Sequence, residues 1–538
     1  MTEHNFDFAI IGSGFGGSVS ALRLAEKGYR VAVLEQGRRM TDTDLEQANQ
    51  SPRHLIWAPV LGFRGILSVD LFRHLMAIRG VGVGGGSLVY AAVLLEPEED
   101  FYTDLARRDL GINWKKELKP HYATAKRMLG VESNPLFGTM DEYLRKTAAS
   151  LQAESTFGPV EQGIYFGKPG VEHPDPYFGG KGLPRRGCEP CGACIAGCAY
   201  NAKNSLDKNY LYLAEKLGAE VLPDRKVILV NPVEGGGYLI TMKHPLNRRQ
   251  QYSPLRATQV VFAGGLLGTL ELLFRCKRAG ALPGISDTLG RIVRTNSETF
   301  VGVVSRDRSI DMTEGATISS RFFPNRYTHI TQNRFPPSYN FFHLIGGPLV
   351  DDDRPTIRTL KTLGSFLAHP LRSTYSMRAT GWHRRVIVLT VMQLLDNQLS
   401  FAYGPRWYSL FRKRLYSVVA HGKRAPSYIP EANEAARHLA QHADGVPGNV
   451  LLDSIGNLSL SGHLLGGCQI ASSPNDGVID TNHRVFNYPS LYVVDGSAIP
   501  VNVGINPSLT ITVMAERCMS LIPPKDFSQP TPAGEQLP

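Results

Sequence analysis

The first forty residues constrain this chain's fold more than any other stretch. Phe6–Ile11 alternates and then ends in an apolar pair, as a buried parallel strand does. Gly12-Ser13-Gly14-Phe15-Gly16-Gly17 follows, a G-x-G-x-x-G turn. Ser18–Lys27 reads as a helix with Ala21, Leu22, Leu24 and Ala25 on one face, and Gly28 stops it. Arg30–Leu34 reads as a second strand with Glu35 at its end. The order has a physical reason. Gly12 lets the chain turn tightly, Gly14 lets backbone approach a pyrophosphate, and Gly17 lets the helix pack on the strand. The helix N-terminus then offers free N–H donors to phosphate charge. Glu35, 18 residues past Gly17, can accept hydrogen bonds from ribose hydroxyls. A Gly-rich structural turn leaves Glu35 unexplained. The unit therefore reads as dinucleotide-binding, and it suits NAD and FAD alike.

The chain is long enough to add more to this unit. Its 538 residues allow two to four domains, and 42% hydrophobic with 20% charged residues describes a globular protein with a core. The longest apolar run, 386–395, is about half of what a membrane span needs. The N-terminus, MTEHNFDFAIIGSG, does not read as a secretory signal. Seven cysteines, four of them between 188 and 198, argue against a disulfide framework and for a reducing, cytoplasmic location. The net charge is +10, and residues 321–424 alone carry 16 Lys/Arg against 4 Asp. That stretch is also rich in Phe and Tyr and holds Trp382 and Trp407. Aromatics interleaved with arginine suit a lipid headgroup region better than nucleic acid, so peripheral contact with a membrane surface is expected and nucleic acid is not. A solvated basic face over an aromatic core remains the alternative.

Later segments settle which dinucleotide. Gly80–Tyr90 holds five glycines in seven positions, Gly80, Gly82, Gly84, Gly85 and Gly86, ahead of Ser87. No helix or strand interior tolerates that density, so it reads as a loop lying against a ligand. A strand at Gln259–Ala263 leads into Gly264-Gly265 and a helix, Thr269–Arg275. Ser490–Val494 is a strand ending in Asp495-Gly496, and Asn506-Pro507-Ser508 opens a helix, Leu509–Cys518. With these segments the sequence resembles the glucose-methanol-choline (GMC) oxidoreductases, and within them the cholesterol oxidase-like branch. The matching stretches include GSGFGGSVSALRLAEKGYRVAVLEQG, GVGVGGGSLVYAAVLLEPEEDFY, KNSLDKNYL, SGHLLGGC and LYVVDGSAIPVNVGINPSLTITVMAER, and they run from residue 8 to 517.

The resemblance implies an α/β fold: a Rossmann-type FAD-binding domain, with a parallel sheet between helices, and a second α+β substrate-binding domain carrying an antiparallel sheet. The FAD domain would take residues 1–300 discontinuously, the substrate domain 301–449, and a C-terminal return 450–523, leaving 524–538 as a tail. FAD would lie along Gly84–Ser87, with Tyr90 and Ala263 nearby. Asp495 and Gly496 would meet its ribityl chain, Val227 its adenine, and Asn506, Pro507 and Ser508 its ring. The loop Gly80–Tyr90 has no histidine, so FAD would be held non-covalently. His463 matches the active-site histidine and Asn506 the asparagine beside the flavin. Tyr90 departs from the branch, which usually has asparagine there. Glu298 is the candidate acidic base, with a surface carboxylate as the alternative. Residues alone also favour His463: it precedes a Gly466-Gly467 turn, and imidazole moves protons near neutral pH.

Cys188-x2-Cys191-x2-Cys194-x3-Cys198 packs four thiols into eleven residues, and its spacing is that of ferredoxin-type runs. With Asn201-Ala202-Lys203 it is also similar to the iron–sulfur segment of membrane-associated dehydrogenases of the superfamily. An iron–sulfur cluster, a structural zinc site, and disulfides or free thiols all remain open. Cys276, Cys468 and Cys518 read as core. The reaction implied is oxidation of a bulky apolar alcohol, a sterol or another lipid, by hydride transfer to flavin. The electrons would pass to dioxygen or, through a cluster, to an acceptor protein. A flavin-dependent ketosteroid desaturase or isomerase and an electron-carrying flavin/iron–sulfur module are the competing readings.

Overall fold

The computed structural model describes residues 5–247, 249–406, 411–419 and 424–526. Trp407 and residues 527–538 of the expected tail lie outside them. Strand β1 (Asn5–Ile11), helix α1 (Phe15–Glu26) and strand β2 (Val31–Leu34) form in the order expected, with the helix starting inside the glycine turn. All four residues of β2 are buried, which is why they read as an unbroken apolar run. Helix α2 (Thr139–Ser150) then leaves this unit, and the chain returns with β3 (Glu220–Leu222), β4 (Lys226–Pro232), β5 (Tyr238–Lys243) and β6 (Leu255–Phe262).

These strands make one sheet in the order β3-β2-β1-β6-β5-β4. Its β3, β2, β1 and β6 are parallel, while β5 and β4 add an antiparallel arm. Val227 pairs with Met242, and a bulge breaks the β4–β5 register between Val227 and Leu229. Helix α3 (Gly265–Arg278) follows β6.

The second sheet begins with β7 (Thr299–Ser305), β8 (Ser320–Asn325) and β9 (Thr328–Asn333). Two helices, the long α4 (Pro355–Ala368) and the one-turn α5 (Pro370–Ser373), lie outside it. It is completed by β10 (Val386–Gln393), and after α6 (Pro430–His442) by β11 (Gly445–Val450). With 346–348 and 158–159 at its edges it has seven antiparallel strands, β7 and β10 at its centre. Side chains alternate with period two. Val303, Phe322, Ile330, Ile387 and Leu389 pack under α2 and α6. Phe300, Gly302, Asn333, Val388 and Thr390 face the other way, into a cavity. The chain then returns to the first sheet with β12 (Tyr488–Val493), parallel to the second half of β6, and ends in α7 (Ser508–Ser520), packed on α1. Apart from 158–159, the strands of the second sheet all fall between 299 and 450.

Candidate active site

The two glycine clusters meet backbone to backbone. A Cβ on Gly85 would fall 2.6 Å from the Gly14 Cα, and one on Gly12 would fall 2.4 Å from the Ala263 carbonyl oxygen. Gly14 itself has open space where its side chain would be. Gly12, Ser13, Gly14, Glu35, Gly85, Gly86, Tyr90, Val227, Ala263, Asp495, Gly496, Asn506, Pro507 and Ser508 all line one cavity of about 1070 Å³. Three expected contacts stand behind its wall. A Cβ on Gly17 would sit 2.0 Å from the Gly12 carbonyl oxygen, so its work is helix packing. Gly84, at φ +107°, donates its N–H to Ser13 Oγ. Ser87 Oγ donates to the Gly84 carbonyl and accepts from Leu206 N–H, so it shapes the loop.

Glu35 is 5% exposed and already holds the first glycine turn: its carboxylate accepts from Ser13 N–H, Ser13 Oγ–H and Gly37 N–H. The Gly82 backbone N–H faces the same carboxylate, so Glu35 ties the first glycine turn to the second glycine loop. Asp495 accepts from Ser497 N–H and from the hydroxyls of Ser497 and Thr269, which locks the turn after β12. Burial pushes both carboxyls above their ordinary range.

At the junction of the two sheets, His463 sits in a loop between two short strands, 459–461 and 465–466. The first pairs with 75–77 and the second with 293–294, which pins the loop from two sides. His463 N–H donates to Ser461 Oγ, and Ser461 Oγ–H donates to the Thr295 carbonyl. Glu298, 1% exposed, accepts from Gly462 N–H, and its Oε1 stands 2.9 Å from His463 Nδ1. That contact is off the line of a well-formed hydrogen bond, and catalytic bonds often align fully only when substrate binds. Asn296 ties this segment to the loop before α7: its Nδ2 donates to the Ile505 carbonyl, and its Oδ1 accepts from Gly504 N–H. His463, Glu298 and Asn506 thus line the same cavity. Asn506 Oδ1 is buried there with no partner.

Tyr90, at the departure from the branch pattern, donates its hydroxyl to the Asn204 carbonyl and packs edge-on against Phe15. Burial raises its pKa. The Lys203 ammonium lies 5.2 Å from its ring centroid and donates to the carbonyls of Leu88, Tyr90 and Cys194. Lys203 was in the quoted sequence motif, but this seat between two loops has no signature in spacing.

The described residues lend no support to the expected metal centre at Cys188, Cys191, Cys194 and Cys198. No group of three or more His, Cys, Asp or Glu among the described residues is arranged to hold a metal ion. The four cysteines do edge one hollow with Tyr200 and Lys203, but it measures about 10 Å³, room for about one water. Cys188 and Cys194 pack among Ala92, Ile164, Ala202 and Ala316. Burial raises both thiols, which disfavours the thiolate that metals bind. Cys276, Cys468 and Cys518 are core residues.

The far end of the cavity is aromatic and aliphatic. Phe335, Tyr339, Phe342 and Trp382 line it, and Phe335 has ring contacts with the other three. Ile345, Val386 and Val388 complete the apolar wall. The sequence showed aromatic density here, but not that one cavity gathers it.

A family profile described as GMC oxidoreductase matches residues 422–515, and one described as NAD(P)-binding Rossmann-like domain matches 10–42. A cholesterol oxidase of Acinetobacter baumannii is 41% identical over 98% of this chain and 96% of its own length. The chain is a GMC oxidoreductase. A cholesterol oxidase of Mycobacterium tuberculosis is 40% identical over 99% of this chain and 93% of its own. A long-chain-alcohol oxidase of Arabidopsis thaliana is 25% identical over 95% and 67%. Among solved structures, pyridoxine 4-oxidase from Mesorbium loti shares the fold with a TM-score of 0.62 at 16% identity, covering 96% of this chain and 98% of that one. This GMC oxidoreductase is an FAD-dependent enzyme that oxidises alcohols, and its branch is the cholesterol oxidase-like one. Its residues fit FAD: glycine loops open to close backbone approach, a buried acid at the end of β2, and an unpartnered amide oxygen at Asn506.

Proposed function

We propose that this enzyme oxidises the hydroxyl of a bulky apolar alcohol of sterol size and passes the electrons to dioxygen. The observation that carries the reading is one continuous cavity with the His463–Glu298 pair beside Asn506 and an aromatic wall beyond. The names of the full-length relatives support the sterol and the oxidase readings, and they favour neither a desaturase or isomerase nor an electron-carrying module.

Bound FAD supplies the hydride acceptor. The chain's own residues prepare the alcohol. Glu298 faces Nδ1, so a proton held there leaves Nε2 as the basic nitrogen of the ring. His463 Nε2 then takes the hydroxyl proton as the carbon–hydrogen bond weakens. The Asn506 amide fixes the alcohol oxygen and answers the charge that develops on it. Glu298 acts through the imidazole, as a positioning residue that also stabilises its charged form. The apolar wall orients the rest of the molecule and excludes water.

The test is anaerobic addition of sterols and long-chain alcohols in detergent. A sterol should bleach the flavin band, and readmitted oxygen should restore it with one hydrogen peroxide per ketone. His463→Ala should slow bleaching by about 10²–10⁴-fold, the usual worth of a positioned acid–base group. Glu298→Gln should slow it less and shift the pH profile. A panel in which no alcohol bleaches the flavin would end this reading.

A further inference from the structure

The sheet floor of the cavity carries a polar pair that the chemistry above does not use. Asn333 on β9 and Thr390 on β10 both line the cavity, among Phe300, Phe335, Val386 and Val388. Asn333 pairs with Val388 across the ladder and Thr331 with Thr390, so Asn333 and Thr390 are diagonal neighbours on one face. Asn333 Nδ2 donates to Thr390 Oγ1 at 2.7 Å and to the Val388 carbonyl at 3.3 Å, which uses both amide hydrogens. The Asn333 carboxamide oxygen accepts from no described residue, and the Thr390 hydroxyl hydrogen goes to none. Thr331 beside them leaves its own hydroxyl without a partner.

Other polar side chains of this wall are engaged. Asn449 bonds to Ser454, Ser376 accepts from the Trp382 indole, and Ser373 donates to the Ser365 carbonyl. Valine would suit a strand among aliphatic neighbours better than asparagine, and a buried polar group short of partners costs free energy. A free acceptor beside a free donor matches an alcohol hydroxyl, which accepts and donates at once. The ladder sets the distance. β7 begins at Thr299 opposite Val391, so Glu298 stands level with Met392. Thr390 lies two residues from that level along β10, and Val388, the partner of Asn333, lies four. At the rise of a strand these are about 7 Å and about 13 Å. The reacting hydroxyl is held at the Glu298 end, so a second oxygen at the pair belongs to the far rings of a steroid-sized body.

We propose that Asn333 and Thr390 select alcohols that carry a second hydroxyl on the same apolar body, remote from the one oxidised. This rests on the substrate reading above, and its test separates the two. Holoenzyme in detergent is given steroid 3-alcohols of one skeleton, either with no other oxygen or with a second hydroxyl at position 12 or 17. Wild type should favour a dihydroxy compound by about 10–100-fold in kcat/KM, because the compound lacking the hydroxyl leaves the pair unmatched. The difference should fall chiefly in KM, since the contact is the same before and during the reaction. Asn333→Leu with Thr390→Val should erase the preference. Thr390→Val alone, which keeps the shape, should lower it, and Thr390→Ser, which keeps the hydroxyl, should retain it. Calorimetric titration of dithionite-reduced holoenzyme gives the binding ratio of the same compounds without turnover. Equal kcat/KM for the two kinds of alcohol overturns the proposal, as does a preference that Thr390→Val and the double variant keep; either result leaves alcohol oxidation standing. If no compound is oxidised, the substrate reading falls and the binding ratio decides this one: tighter binding of a diol supports it, and a ratio near one overturns it.

Discussion

Glu298 owes its place to the two residues before it. Asn296 and Ser297 hold φ of 62° and 45°, a left-handed pair that turns the chain inward just ahead of β7. Such conformations cost about 1–3 kcal/mol each for non-glycine residues. Asn296 offsets part of that with its two bonds to the 504–505 backbone. One residue on, Thr299 Oγ1 makes a long contact, 3.4 Å, to Oδ2 of Asp453, which is 2% exposed. Burial raises the Asp453 carboxyl from 3.8 to about 8, and nearby Arg358 only partly opposes it. The sign follows from proton counts. The native state keeps a proton that the unfolded chain releases near its ordinary value. The resulting stability is complete below 3.8 and is lost as pH rises through about 8. Asp453→Asn should therefore flatten the fall in urea midpoint across that window. An unchanged slope would mean that Asp453 is already ionised in the folded protein.

Loops that carry one element onto another govern the next scale. Lys203 joins the cysteine-rich segment to the glycine loop through three carbonyls, with no carboxylate within salt-bridge reach among the described residues. Burial lowers its pKa to about 8. Lys203→Met keeps the volume, relieves the buried charge and leaves the carbonyls unpaired. The last effect should win by about 1–3 kcal/mol, seen as a lower urea midpoint and faster FAD loss from the holoenzyme. A midpoint equal to wild type would show that water or a backbone shift replaces the ammonium. This joint also marks where the sequence stops being readable. Elements with local signals stood out: β1, α1 and β2 around their glycines, β12 before Asp495, and α7 after Asn506-Pro507. The apolar run at 386–395 was visible, but its role as β10, buried on both faces at the centre of an antiparallel sheet, depends on partners far away in sequence. The strands of two and three residues beside His463 are too short to have a period. The cysteine run is the converse case: its spacing matches metal-binding runs, but the described residues form no group arranged to hold an ion.

At the scale of the whole molecule, the cavity has no single owner. Its walls come from the glycine turns of the first sheet, from β7, β9, β10 and β11 of the second, and from the returning loops at 462–464 and 495–508. A ligand filling it touches both sheets at once, so binding energy is spent on holding them together. Anything that binds only the native state stabilises it, by about 2.7 kcal/mol at a hundredfold excess over Kd. If the junction depends on this contact, removing FAD should lower the melting temperature of the second sheet as well as the first. Calorimetry of deflavinated protein should show one transition at a lower temperature, and added FAD should restore it. The connectivity favours one transition: the chain enters the second sheet at 158–159, leaves it, and returns through 299–450 before closing β12 onto β6. Two separated transitions, with only one sensitive to FAD, would show instead that the second sheet stands on its own core beneath α2 and α6.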